Sequence, residues 1–149
     1  QKMATDFESV KLAVEDKISF VKRCGLQLLS AENGAVTCLM PGKGNENHLG
    51  AMYAGALFTL AEIPGGALWL ANFDIAKCYP ILKSFRIDYL KPAMGDITFS
   101  VSLTPDEIAD FQQRCAAEGK VEFELAGDLK DHSGQIVARS VGTYQLRKH

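Results

Sequence analysis

The sequence predicts an α+β fold: a curved antiparallel sheet of about six strands wrapped around one long central helix. Three observations lead there. The run Leu49–Asn72, LGAMYAGALFTLAEIPGGALWLAN, is apolar throughout apart from one ionisable carboxylate, Glu62, and a helix apolar on all sides must be buried over most of its circumference. Flanking segments alternate apolar and polar residues with a period of two, as strands with one buried face do. Tight-turn signals join several of these segments, which favours antiparallel pairing.

The elements follow in order. From Thr5 to Arg23, Phe7, Val10, Val14, Ile18 and Val21 recur every three to four residues, which predicts one amphipathic helix over 5–23, closed by Gly25. Leu26–Glu32 and Ala35–Met40 flank Asn33-Gly34, a type I′ hairpin signal because both turn positions need positive φ. Pro41–Asn47 is a polar loop feeding the apolar run, whose helix is expected over about 52–73. In Ile81–Leu90 and around Ile97, Phe99, Val101 and Leu103, apolar and polar residues alternate. Thr104-Pro105-Asp106-Glu107 forms a capping box with proline at the first helical position and starts a short extra helix over about 105–118 that stops at Gly119. Val121, Phe123 and Leu125 mark a further strand, Asp131–Gly134 a turn, and Ile136–Leu146 the last strand. A single domain over 1–149 is expected, with Gln1–Asp6 as a frayed end.

Composition narrows the function. The chain has 149 residues, 47% of them apolar and 23% charged, with 16 Lys and Arg against 18 Asp and Glu. That balance is ordinary for a soluble globular protein, and the scattered basic residues argue against a nucleic-acid surface. Cys24, Cys38, Cys78 and Cys115 include no CxxC pair and no histidine lies at ligand spacing beside them, so neither a metal site nor any cofactor is expected. They read as reduced cysteines in a cytoplasmic protein without a secretory signal. The apolar run is long enough to span a bilayer, yet it lacks flanking Lys or Arg and carries a central carboxylate, so no membrane span is expected.

Within the run, Leu57, Leu60, Ala61, Pro64, Leu68 and Ala71 share one side of a helix, and Phe58, Glu62, Gly65, Trp69 and Phe73 another. Pro64 removes the N–H that would bond the Leu60 carbonyl, and Gly65-Gly66 permit close approach, by a packed neighbour or by a ligand.

The pattern Asn47, Gly50, Tyr53-Ala54-Gly55, Leu60-Ala61-Glu62 resembles hot-dog fold acyl-CoA thioesterases of the phenylacetyl-CoA thioesterase type, or a related hot-dog family. Tyr89-Leu90-Lys91-Pro92-Ala93 followed by Gly95-Asp96 resembles the strand and turn after the central helix there, and the likeness spans Leu26 to Leu146. The chain departs from it at Tyr53 and Ala54, where the family commonly has His and Gly. The resemblance implies a hot-dog fold and hydrolysis of an acyl-CoA or acyl-carrier thioester, the coenzyme A moiety entering as part of the substrate. It implies that the Gly55 N–H polarises the carbonyl, that Asn47 orients water or carbonyl, and that protomers pair edge to edge as a homodimer, or further as a tetramer.

Thioester hydrolysis needs an activated water or a carboxylate nucleophile, and donors aimed at the oxygen that becomes negative. Glu62 supplies the carboxylate, and apolar surroundings should raise its pKa; the other reading is a structural acid paired with Lys83 or Arg86. Catalytic candidates are therefore Glu62, Asn47 and Gly55, although Asn47 equally suits a loop-shaping role. Substrate-binding candidates are His48, Gly50, Tyr53, Ala54, Phe58, Lys83, Arg86 and Lys91, with Arg139 a further possible phosphate contact. Tyr53 is either a buried ring or a donor replacing the family's His. A non-catalytic acyl-CoA or lipid-binding protein is the alternative function; a hydratase or dehydratase ranks below it because only His48 lies near the motif.

Overall fold

In the computed structural model, which describes residues 5–149, the chain runs α1 (Phe7–Asp16), α2 (Ser19–Cys24), β1 (Gln27–Glu32), β2 (Ala35–Met40), α3 (Ala54–Asn72), β3 (Cys78–Tyr89), β4 (Ile97–Ser102), α4 (Pro105–Glu118), β5 (Lys120–Lys130) and β6 (Ile136–Lys148). The first four residues of the expected frayed end lie outside the described residues. The strands form one antiparallel sheet in the order β1-β2-β4-β5-β6-β3. With α3 packed on it, this is the hot-dog arrangement, and β1 and β3 are its two edges.

Local signals account for several boundaries. Asn33 and Gly34 take φ of 53° and 74°, the positive pair that lets β1 turn tightly into β2. Thr104 and Glu107 form the reciprocal capping box of α4, and Gly119 ends that helix at φ 85°. The Asp6 side chain caps α1 through the Ser9 N–H at 2.8 Å.

The single helix expected over 5–23 is instead two. The chain breaks at Lys17 and Ile18, where Ile18 adopts extended backbone at φ −102°, ψ 112°. The break redirects α2 so that Val21 is buried along with Val10 and Val14 of α1. Ile18, which periodicity placed on the buried stripe, is 50% exposed.

α3 supplies the centre of the core. Leu57, Leu60, Ala61, Pro64, Leu68 and Ala71 are buried, and they are the side that helical spacing grouped together. By length and composition α3 could cross a membrane, but here the sheet wraps that face. The opposite face, with Glu62, Ile63, Gly66, Trp69 and Leu70, is only half-buried. Gly65 has a definite packing role, because a Cβ there would lie 2.6 Å from the Tyr144 ring of β6.

β3 is less buried than its alternation suggests: Phe85 and Ile87 are half-buried and Tyr89 is exposed. Lying at the edge, it has a neighbour on one side only. The β3 to β6 register slips between Leu82 and Ser84, leaving Lys83 as the extra residue, and the β1 to β2 register slips between Leu28 and Ser30, leaving Leu29.

Candidate active site

The loop before α3 is built to present the start of that helix. Asn45 ties it to the rest of the fold, its side-chain amide donating to the carbonyls of Cys24 and Pro41 at 2.8 Å each. The Tyr53 N–H donates to the Asn45 carbonyl and the Met52 N–H to the Ala93 carbonyl, both at 2.8 Å. Gly50 turns the loop at φ 85°. Asn47 Oδ1 accepts from the N–H groups of Leu49 and Ala51 at 2.8 and 3.1 Å. Its acceptor is thereby committed to the loop, and its amide NH2 is the end left to meet a ligand.

At the helix start, the amides of Ala56 and Leu57 both donate to the Tyr53 carbonyl at 3.0 and 3.1 Å. The N–H groups left over in the first turn are those of Ala54 and Gly55, at the positive end of the helix dipole. Tyr53 is 60% exposed, so it is not a buried ring. Its ring folds beside Gly55, where a Cβ would meet Cε2 at 2.6 Å. The Tyr89 hydroxyl donates to the Ala54 carbonyl at 3.1 Å. Burial, then the neighbouring Tyr53, pushes the Tyr89 phenol up from its ordinary pKa. A cleft of about 520 Å³ opens here, lined by Asn47, Leu49, Met52, Ala54, Tyr89 and Lys91 among others.

Glu62 stands in a second cleft of about 360 Å³, walled by Val14 and Ile18 from the N-terminal helices, Trp69 and Leu70 from α3, and Tyr79 and Pro80 from β3. The walls are almost wholly apolar, and burial alone raises the Glu62 carboxyl above its ordinary value of 4.5. No ion pair with Lys83 or Arg86 forms among the described residues, since Arg86 reaches Asp88 at 3.1 Å. Gly66 also lines the cleft, and a Cβ there would meet nothing within 4 Å. Beneath it, the Tyr144 hydroxyl donates to the Glu62 carbonyl at 3.0 Å. Burial and then the Glu62 carboxylate hold the Tyr144 phenol protonated well above the usual tyrosine range.

Gly55 and Glu62 fall on one face of α3 two turns apart, roughly 10 Å along the axis. The two clefts share no lining residue. The structure thus groups Asn47, Ala54 and Lys91 at the helix start and sets Glu62 apart from them. His48 is exposed on the loop, and Phe58 packs edge-on against Phe85 with ring centroids 5.0 Å apart. Lys83 and Arg86 are exposed on β3, and Arg139 pairs with Asp128 at 3.1 Å. Sequence reasoning passed over Tyr89 and Met52 at the first cleft, and Val14, Ile18, Trp69 and Tyr79 at the second. The alternation through Tyr89 marked a strand without marking its end as a wall, and Val14 and Ile18 had the spacing of core residues.

A family model described as a domain of unknown function, DUF4442, matches residues 8–146. No curated protein matches the chain. Among solved structures, PA5026 of Pseudomonas aeruginosa, described as a protein of unknown function and probable thioesterase, is 46% identical over 100% of both chains with a TM-score of 0.95. A protein of unknown function from Chlorobaculum tepidum is 17% identical over 95% of this chain and 94% of its own, with a TM-score of 0.85. The mutant thioesterase PA1618 of Pseudomonas aeruginosa is 17% identical over 97% and 95%, with a TM-score of 0.76. The last two likenesses are of fold alone.

Proposed function

The chain belongs to the DUF4442 family, and from that premise we propose that it is a thioesterase hydrolysing an acyl-CoA or acyl-carrier thioester. One observation carries the reading: an isolated carboxylate of raised pKa, Glu62, lies on the same face of a buried helix whose first turn leaves two backbone N–H groups unspent. The description of PA5026 as a probable thioesterase supports it.

The Gly55 N–H, with the helix dipole behind it, polarises the thioester carbonyl and stabilises the oxyanion that forms. The Asn47 amide NH2 donates to the carbonyl or to the attacking water. Glu62 takes a proton from that water as its oxygen bonds to the carbonyl carbon. When the C–S bond breaks, the proton passes to the leaving sulfur, which releases thiol and free acid and restores the carboxylate. As nucleophile instead, Glu62 would form a mixed anhydride that water then opens.

A carbonyl on Gly55 lies about 10 Å from the same chain's Glu62, too far for proton transfer through one water. The acid facing it is then that of a second protomer, joined at the open edge of β3 in a homodimer. Lys91, Lys83 and Arg86 are the candidate contacts for the pantetheine and phosphates. A second reading, a non-catalytic acyl-CoA or lipid-binding protein, is favoured by Tyr53 standing where the related thioesterases carry His. Thiol release from a panel of acyl-CoAs decides between them. Hydrolysis by wild type that persists undiminished in Glu62→Gln overturns the catalytic assignment, and binding without hydrolysis of any chain length establishes the second reading.

A further inference from the structure

A third cavity, of about 440 Å³, lies away from both clefts, where the C-terminal half of α4 meets the start of β3 and the end of β6. Its lining includes Lys77, Cys78, Gln112, Cys115, Lys148 and His149. Residues distant in sequence meet there because Cys78 pairs with Lys148 across the ladder. The volume is in the range of small-molecule sites.

The polar groups around it are divided unequally. Gln112 Oε1 accepts the Asp74 N–H at 2.9 Å, so the amide NH2 is the end left over. The thiols of Cys78 and Cys115 donate to the carbonyls of Asp74 and Leu146 at 3.4 and 3.5 Å, and His149 Nε2 lies 3.2 Å from the Ile75 carbonyl. The Asp74 carboxylate pairs with Lys77 at 3.8 Å and accepts the Ala76 N–H at 3.1 Å. Lys148 makes no ion pair among the described residues, and its charge is felt at the Cys115 thiol, where it partly offsets the rise caused by burial. What remains around the cavity is a set of donors: the Lys148 ammonium and the Gln112 amide are unspent, and the Lys77 ammonium is shared with Asp74. Beneath them, Cys78 and Cys115 are buried and serve as a soft apolar floor.

We propose that this cavity is a second ligand site, taking a small organic anion whose carboxylate or phosphate meets Lys77, Lys148 and Gln112 and whose apolar body lies on the Cys78 and Cys115 floor. The cavity shares no lining residue with the Glu62 cleft, but two contacts link them. Trp69 donates its indole N–H to the Cys78 carbonyl at 3.1 Å, and the Tyr79 ring lies 5.0 Å from that of His149; both Trp69 and Tyr79 line the Glu62 cleft. An occupant therefore changes the surroundings of Trp69, the one tryptophan in the chain.

Titrating the full chain with octanoate, with 3′,5′-ADP and with inorganic phosphate, followed by Trp69 fluorescence and calorimetry, tests the proposal. At least one organic anion is expected to bind about tenfold or more tightly than inorganic phosphate, because only it covers the floor. Octanoate alone identifies a carboxylate source and 3′,5′-ADP alone a phosphate source. Lys77→Glu with Lys148→Glu should weaken that binding by about tenfold or more, and Ala116→Phe should block it by filling the cavity, while Glu62→Gln leaves it intact. Unchanged thermal unfolding of the free variants shows that each is folded. Failure of both organic anions to bind overturns the proposal. So does equal affinity for inorganic phosphate, or binding that survives both the charge reversal and Ala116→Phe. Binding that is lost only in Glu62→Gln also overturns it, because the anion then occupies the Glu62 cleft.

Discussion

Tyr144 of β6 holds the main chain of Glu62 in place: its hydroxyl donates to the Glu62 carbonyl at 3.0 Å, and the ring fits only because residue 65 has no side chain. The sheet thereby fixes the turn of α3 that carries the acid. Tyr144→Phe keeps the ring and removes the hydrogen bond, so stability should fall by about 1 kcal/mol. Gly65→Ala drives a Cβ into the ring at 2.6 Å and should cost about 1 to 3 kcal/mol. Thermal unfolding of both variants measures this, and a Gly65→Ala protein as stable as wild type would show that the ring is free to move.

The raised pKa of Glu62 has two consequences with opposite signs for activity and stability. As a base Glu62 works deprotonated, so kcat/KM should rise with pH through an inflection above the ordinary value of 4.5. For stability, the folded state holds the Glu62 proton more tightly than the unfolded state does. The resulting stabilisation is complete below about 4.5, the unfolded value, and is lost as pH rises through the folded one. Glu62→Gln should therefore lower hydrolysis on the order of 10²-fold or more while raising the melting temperature relative to wild type more at pH 8 than at pH 4. Parallel melting curves at the two pH values test the second part without any assay of activity.

Asn47 divides its work between loop and ligand, and two substitutions separate the parts. Asn47→Asp keeps the acceptor used by the N–H groups of Leu49 and Ala51 but loses the NH2 donor. Its stability should match wild type while hydrolysis falls on the order of tenfold. Asn47→Ala loses the acceptor as well and should lower stability by about 1 to 2 kcal/mol. Equal activity in Asn47→Asp and wild type would confine Asn47 to shaping the loop.

A site shared between protomers predicts complementation. Glu62→Gln lacks the base and Gly55→Pro lacks the N–H donor, so each should be inactive alone. Refolded together, they form mixed dimers with one intact site each, and thiol release should recover to about a quarter of wild type at equal mixing. No recovery, with mixed dimers demonstrated by mass, would place the whole reaction within one chain.

The parts of the fold legible in the sequence were those set by neighbours along the chain. Asn33-Gly34 dictated its turn, the Thr104 and Glu107 pair dictated the start of α4, and the apolar circumference of α3 dictated a sheet around it. The break at Ile18 was not legible, because a stripe of Val10, Val14, Ile18 and Val21 suits one long helix until the position of the core decides which of them it can reach. Strand order was not legible either, and with it the position of β3 at the edge, which leaves Phe85, Ile87 and Tyr89 less covered than their alternation implies. At the site, Glu62 stood out as a lone charge. Its distance from the helix start follows from spacing once the helix is assigned, since residues seven apart share a face two turns apart; that the two ends open into clefts with separate walls does not, because those walls come from distant elements. The Lys77 and Lys148 cavity depends on a β3 to β6 pairing that no local pattern announces.

Both rims of the sheet carry an irregularity, Leu29 in β1 and Lys83 in β3. An unbroken edge of regular backbone would accept any extended strand, including another copy of itself, and could propagate into a fibre. A bulge twists the edge locally, and a lysine set in it adds a charge that a foreign strand would have to bury. For the proposed homodimer, pairing at the β3 rim would have to bring the two kinks into register, which favours a closed pair over an open-ended stack.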